Sequence, residues 1–273
     1  MTDVLRSAPD AAAAPGAGRS TASLIRRDLW ANAVVIALIV GGMQIWSQFA
    51  PNYVMPSPSE TASATGTILG SQFGDILITL LRLFYAVGFA MVAGCLIGAA
   101  MAMIRPLQPY LKSLVVINTG IPALSWMLFA IFWFKDAETR IFFILAMILI
   151  PFYALNIYDG IRALSTDLVE MVETFRPTRL HVFLYLIVPH IVPYVLMTTK
   201  SIIGYAARMT VFAELLSSNI GMGARMGLAQ NNFHMDQVIA WTVLLVVLNL
   251  SLQALVAGAE RLLLRWRPEV VVR

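Results

Sequence analysis

The stretch "STDLVEMVETFRPTRLHVFLYLIVPHIVP", residues 165–193, decides how the rest of the chain is read. Leu168, Met171, Val172 and Phe175 fall at i, i+3, i+4, i+7, the spacing of one helix face, and Leu180, Phe183, Leu184 and Ile187 repeat it. Between the two sets lies "RPTR", where Pro177 has no backbone N–H and blocks a smooth helix. The pattern predicts two short amphipathic helices meeting at a corner, with much longer apolar segments on either side. A charged element of this kind, on the end of an apolar bundle, has the form of a surface held by a partner.

Working outward, the composition fixes the class. Of 273 residues 59% are hydrophobic and 12% charged, with a mean hydropathy of +0.77. A soluble domain averages about 25% charged residues. Six apolar segments, near residues 29–49, 78–104, 113–134, 140–161, 189–215 and 237–258, are each long enough to cross a hydrocarbon core. They lack strand alternation, and backbone groups in lipid must be satisfied within the segment. The expectation is an all-α membrane protein with six transmembrane helices. Residues 1–28, rich in Ala, Ser, Pro and Gly, are expected to form a disordered cytoplasmic tail before an uncleaved first helix. Residues 29–268 form the transmembrane domain and 269–273 a C-terminal tail.

The basic residues orient the bundle. With the N-terminus inside, the cytoplasmic segments hold Arg6, Arg19, Arg26 and Arg27, then Arg105 and Lys112, then Arg162, Arg176 and Arg179, then Arg261, Arg265, Arg267 and Arg273. The outer segments hold Lys135, Arg140 and Arg225, with Arg82 near a span end. The net charge of +4 follows from this topology and does not point to nucleic acid. Residues 165–188 therefore form a cytoplasmic loop and 217–236 an outer one, polar and Gly-rich, expected as a short helical hairpin. Ser59, in the Pro-rich stretch 50–60, is expected to cap a short helix that follows. Gly94 and Gly98 make a GxxxG pair that permits close helix approach. "TGIPALSW" breaks the third span at Gly120 and Pro122, and such a break sits against a cavity or a neighbouring helix. The single cysteine, Cys95, excludes an intrachain disulfide.

The opening stretch resembles the "EAA" cytoplasmic loop of binding-protein-dependent ABC transporter permeases. It reads Glu170-Met171-Val172, then Arg176 where that family has Gly, then Ile187-Val188-Pro189. Further stretches resemble the taurine, alkanesulfonate and nitrate branch: Met55-Pro56-Ser57-Pro58-Ser59-Glu60, then "IPALSWMLFAIFWFK" with Pro122, Trp126 and Trp133-Phe134. Ala213-Glu214-Leu215 with Gly221-Met222-Gly223 follows, and "LLLRWRP" at 262–268 closes the series. The resemblance covers about residues 29–268, and it is the order and spacing of the motifs that make it specific. It implies a type I ABC importer permease fold, in which the loop at 165–188 is a coupling helix seated in a groove on a separate ATPase subunit. Leu168, Glu170, Met171, Val172, Phe175, Arg176 and Arg179 are the implied docking residues. The departures are two larger residues after Glu170 and Arg176-Pro177 in place of the turn-forming Gly. Either Pro177 supplies the corner by another route, or this copy docks more weakly or onto an unusual ATPase.

The residues themselves fit such docking. Asp167, Glu170 and Glu173 lie toward the helix start and Arg176 and Arg179 near its end, matching the macrodipole, whereas helices that lie on lipid favour a basic polar face. The chain contains no GxxxxGK[ST] phosphate loop and not even a Gly-Lys pair, so it is not an enzyme of ATP hydrolysis. The resemblance implies ATP and magnesium on partner ABC ATPase subunits and no cofactor on this chain. It also implies a second permease copy, expected as a homodimer, a periplasmic binding protein, and residence in the bacterial inner membrane with both termini cytoplasmic. The cargo implied is a small anionic or zwitterionic solute, such as a sulfonate, taurine, nitrate or an organic acid.

Pathway candidates come from polar groups within spans. Lys200, Gly204 and Arg208 share one stripe of the fifth span, and Glu214 lies on another with Ile203, Ala207 and Thr210. Lys200 and Arg208 either help an anion cross, or Lys200 snorkels to the interface and Arg208 pairs with an acid such as Glu214 of a second copy. Asn118, Ser125 and Trp126 flank the broken third span and are candidates to line a cavity; Trp133 reads as an interfacial anchor. His181, His190 and His234 have no metal-ligand spacing. The competing reading is an ion-coupled secondary transporter or channel, which calls for intramembrane acids or an internal repeat. A membrane enzyme calls for clustered His, Asp or Glu.

Overall fold

The computed structural model describes residues 21–165, Met171, Thr174 and residues 178–264. The chain divides into two units, Met1–Pro58 and Ser59–Arg273. In the first, α1 (Thr21–Trp46) starts well before the apolar segment anticipated at 29. Trp30, Leu38 and Trp46 are exposed along it, as apolar side chains facing hydrocarbon would be.

The second unit is built of helices joined by short connections among its described residues. It opens with α2 (Pro58–Ser71), where Pro58 takes the first helical position and Ser59 falls inside the first turn instead of capping it. Then come α3 (Phe73–Met103), α4 (Gln108–Gly120), α5 (Ala123–Trp133) and α6 (Ala137–Arg162). A short α7 (Arg179–Val182) passes through one wide π-helical turn, Phe183–Ile187, into α8 (Val188–Ser217). The second amphipathic set is thus continuous with the following span. The wide turn precedes Pro189, which has no N–H to offer the carbonyl of Tyr185, and this mismatch accounts for the local unwinding. α9 (Met222–Asn231) and α10 (Met235–Leu263) complete the described chain, and the 217–236 region holds one short helix instead of a hairpin.

Among the described residues, four helical stretches are long and apolar enough to span a membrane: Phe73–Met103, Ala137–Arg162, Leu184–Ser217 and Met235–Leu263. The pair α4 and α5 reaches that length only together and bends by 96° at Ile121-Pro122, where the sequence placed the break. α6 is the most buried, with α3, α4, α5 and α8 packed around it. Asp136 starts it, accepting from the backbone N–H of Thr139 at 2.9 Å and its hydroxyl at 3.0 Å.

The α3–α6 seam is as tight as helices allow. A Cβ on Gly98 would lie 2.6 Å from the Ala154 carbonyl, and one on Gly94 would overlap Tyr153. The main core follows from this approach: Leu83, Ile144, Leu145, Leu149 and Tyr153 are fully buried between α3, α6 and α8. A second core gathers Ile68 of α2, Val211 of α8, Met222 of α9 and Trp241 of α10.

Candidate functional site

Two polar constellations interrupt this apolar packing. The first lies where α3 and α6 begin, α8 ends and α9 begins. Its centre is Glu214, fully buried. The Glu214 carboxylate accepts from Arg82 Nη1 at 2.8 Å, from Thr79 Oγ1 at 2.9 Å and from the Gly223 N–H at 3.0 Å. Arg82, 8% exposed, also donates to Glu138 through Nε and Nη2 and to the Ile220 carbonyl at 2.9 Å. Asp75 accepts from the Gly221 N–H and from Arg225 Nε, each at 2.8 Å, and the Met222 N–H donates to Thr79 Oγ1 at 3.0 Å.

The arrangement has a simple logic. The first N–H groups of a helix have no intrahelical acceptor. Asp75, Thr79 and Glu214, from two other helices, supply three acceptors to the start of α9, and the negative charge of Asp75 and Glu214 suits its positive end. Arg82 and Arg225 supply the counter-charge. Gly221 takes φ +106°, and a Cβ on it would lie 2.5 Å from Glu214 Oε1. A Cβ on Gly223 would strike the Val211 carbonyl. The bare backbone at Gly221 and Gly223 is what lets the loop wrap the carboxylate. An open groove of about 490 Å³ beside this cluster, between α3 and α6, has the Arg82–Glu138 pair as its polar floor.

The second constellation lies at the bend between α4 and α5. Pro151, inside α6, cannot donate to the Met147 carbonyl. Asn118 Nδ2, from α4, donates to that carbonyl at 3.0 Å. A cavity of about 90 Å³ opens beside it, lined among others by Asn118, Trp126, Pro151, Phe152 and Tyr205. Two buried polar atoms there have no partner among the described residues: the acceptor Asn118 Oδ1 and the donor Trp126 Nε1. Trp126 is held edge-on to Phe129 and Phe143, each ring 5.9 Å away. Ser125, half-buried in the first turn of α5, contributes its N–H to the Pro122 carbonyl at 2.9 Å.

The structure therefore brings Asn118 and Trp126 together and places Glu214 elsewhere. Glu214 is satisfied within its own chain and is not available to Arg208 of a second copy. Lys200 pairs with Glu260 at 2.6 Å, half exposed. Arg208 is exposed and makes no ion pair with a described residue. Of the docking set, Met171 is exposed and Arg179 opens α7, while Leu168, Glu170, Val172, Phe175 and Arg176 lie outside the described residues. His190 Nε2 meets the Gly160 carbonyl at 3.0 Å and His181 Nδ1 meets Thr178 Oγ1 at 2.6 Å. No cluster of His, Cys, Asp and Glu able to hold a metal occurs among the described residues. Asp75, Thr79 and Arg82 were missed as site residues; the available signal was an arginine inside a long apolar segment.

These features define a chain whose described elements are all helices, several of them long and apolar enough to span a membrane, with one sharply bent pair. Residues 90–265 match the family model of the binding-protein-dependent transport system inner membrane component, and the chain belongs to that family. It is 28% identical over 190 residues to the nitrate import permease protein NrtB of Leptolyngbya laminosa, covering 67% of this chain and 66% of that one. It is 28% identical over 150 residues to the putative aliphatic sulfonates transport permease protein SsuC of Escherichia coli K12, covering 55% and 57%. The chain thus spans about two thirds of the first relative and just over half of the second. Its fold is similar to that of a chain of the MetNI methionine ABC transporter in inward facing conformations, with a TM-score of 0.62 at 16% identity over 71% of this chain and 97% of that one.

Proposed function

We propose that this chain is the transmembrane permease subunit of an ATP-driven ABC importer, passing a small anionic or zwitterionic solute from a periplasmic binding protein to the cytoplasm. The observation that carries this reading is the family match over residues 90–265. The relatives named for nitrate and aliphatic sulfonates support the class of cargo. The topology proposed has six spans and both termini cytoplasmic; four long apolar helices and the bent α4–α5 pair support up to five of them. Residues 165–188 act as the coupling element, with Leu168, Glu170, Met171, Val172, Phe175, Arg176 and Arg179 docking on the ATPase. ATP and magnesium sit on that partner, and this chain binds no cofactor. Two copies form the translocation unit in the inner membrane, with residues 1–28 and 269–273 as cytoplasmic tails.

The cavity at the bend supports a polar path within the spans: Asn118, Ser125 and Trp126 lie at the only sharp break of a span among the described residues. Arg208 and Lys200 lie on the exposed stripe of α8, where a passing anion would meet them. Glu214 contributes by fixing α9 against α3. The alternative, an ion-coupled secondary transporter or channel, draws on that buried Arg82–Glu214 pair, since such transporters place charges within spans.

Co-purification from native membranes tests the proposal. Two copies of this chain with two ATPase subunits, hydrolysing ATP faster when a loaded binding protein is added, is the expected result. A chain that purifies alone and transports without an ATPase overturns it.

A further inference from the structure

At the opposite end of α6, cations gather without an acid paired to them among the described residues. Tyr158, 2% exposed, sits in a small core with Met101 and Val115. Its hydroxyl oxygen accepts from Gln108 Nε2 at 2.6 Å and from Arg162 Nη1 at 3.0 Å. Over its ring stand two cations, Lys112 Nζ at 5.4 Å and the Arg162 guanidinium carbon at 5.6 Å from the centroid. Both residues are exposed, and neither makes an ion pair with a described residue. Asp159, next to Tyr158 on α6, pairs with neither.

Arg162 alone would need no explanation, because a cation in the last turn of α6 suits the helix dipole. Lys112 does. It is the fifth residue of α4, past the first turn, so the helix dipole gives it no favourable place, and no acid among the described residues pairs with it. Two like charges thus converge on one ring, with no acid paired to either among the described residues. Such an arrangement is stable when an anion occupies it. The corner also lies on the faces of α4 and α6 that line the cavity at the bend: Lys112 and Thr119 share one side of α4, and Phe152, Leu155 and Arg162 one side of α6. From Thr119 to Lys112 is about 10 Å along the helix at 1.5 Å per residue.

We infer that Lys112, Arg162 and Tyr158 form a subsite for a small oxyanion at this end of the α4–α6 seam, about one helix turn or two beyond the cavity. A bidentate guanidinium and a mobile ammonium held over one ring suit a sulfonate, nitrate or phosphate group. A transported solute would bring that group, and so would an anionic lipid headgroup at the membrane surface. The first source rests on the permease reading; the second does not.

The test follows thermal unfolding of the purified full chain in neutral detergent. Sodium methanesulfonate and sodium nitrate are titrated against sodium chloride at equal ionic strength. In a parallel arm, phosphatidylglycerol is compared with phosphatidylcholine in mixed micelles. The expected result is an anion-selective rise in the unfolding midpoint, reduced by half or more in Lys112→Gln and in Arg162→Gln and retained in Lys135→Gln, a charge loss at the far end of α6. Tyr158→Phe keeps the ring but removes the hydroxyl that aims Arg162, and is expected to weaken the response severalfold. A response to methanesulfonate or nitrate identifies a solute group as the ligand; a response confined to phosphatidylglycerol identifies a headgroup. Equal responses in the wild type and the Lys112 and Arg162 variants, or no anion-selective response in either arm, overturn the subsite. If that happens while the assembled complex still hydrolyses ATP under binding-protein control, the subsite fails and the permease reading stands.

Discussion

Asn118 donates to the carbonyl of Met147 at 3.0 Å, and Met147 is the residue whose helical partner would have been the missing N–H of Pro151. One side chain of the bent pair thus repairs the gap that a proline makes in the central helix, in a setting where water is not at hand to do so. Asn118→Leu leaves that carbonyl unpaired and is expected to cost about 1–3 kcal/mol. Pro151→Ala restores the N–H, so the double variant is expected to recover most of the loss. Denaturant titration of the four proteins in a double-mutant cycle measures the coupling, and strictly additive losses would show that the two residues act independently.

The Arg82–Glu214 pair predicts a larger effect. Removing one partner of a buried pair leaves the other uncompensated, at about 3–5 kcal/mol. Glu214→Ala is expected to lose that much and to free the start of α9, giving faster proteolysis near Met222–Asn231. Arg82→Ala with Glu214→Ala is expected to lose less than the sum of the two. A Glu214→Ala protein as stable as the wild type would remove the cluster from the account.

Gly221 is expected to tolerate no side chain, because its φ of +106° and the Glu214 carboxylate act together. Gly221→Ala should cost at least the roughly 1–3 kcal/mol of a strained backbone. On α3, Gly98→Val should separate α3 from α6, while the same change at Gly88, where a Cβ meets nothing within 4 Å, should be tolerated. Thermal unfolding of the three variants checks the order.

Lys200 and Glu260 form a half-exposed pair, so Lys200→Gln is expected to change stability by less than about 1 kcal/mol. If Lys200 assists an anion, the same variant lowers uptake while leaving the unfolding midpoint in place. Unchanged uptake would retain the ion pair and remove the transport role.

Asp136 gives a pH signature. Hydrogen bonds from the Thr139 backbone and then its hydroxyl hold its carboxyl below the usual carboxylate range. Its folded-state value is depressed, so its contribution is present above the unfolded value and lost as pH falls through the folded one. Wild type and Asp136→Ala should therefore differ in unfolding midpoint at neutral pH and converge in acid. A constant gap across that range would assign the cap no charge-dependent part.

The sequence disclosed the long spans, the break at Ile121-Pro122 and the packing role of Gly94 and Gly98, because each is written in local composition or spacing. It also separated Glu214 from the stripe of Lys200 and Arg208. What it left hidden is long-range. Asp75, Thr79 and Arg82 stand more than 130 residues from the Glu214 and Gly221–Gly223 groups they meet, and no periodicity links them. The resemblance had paired Ala213-Glu214-Leu215 with Gly221-Met222-Gly223 as a pattern, and the close approach of those glycines to the carboxylate gives the pattern a physical reason. The continuity of α7 into α8 was not legible, because it depends on one wide turn that accommodates Pro189.

The most direct test of the central claim is uptake into proteoliposomes holding the purified complex, with radiolabelled cargo bound to its binding protein. The account predicts uptake that requires ATP inside with the coupling loop, survives ionophores that collapse proton and sodium gradients, and fails when Phe175 is changed to Asp. Uptake that ignores ATP and falls with an ion gradient would contradict it and make this chain a secondary transporter.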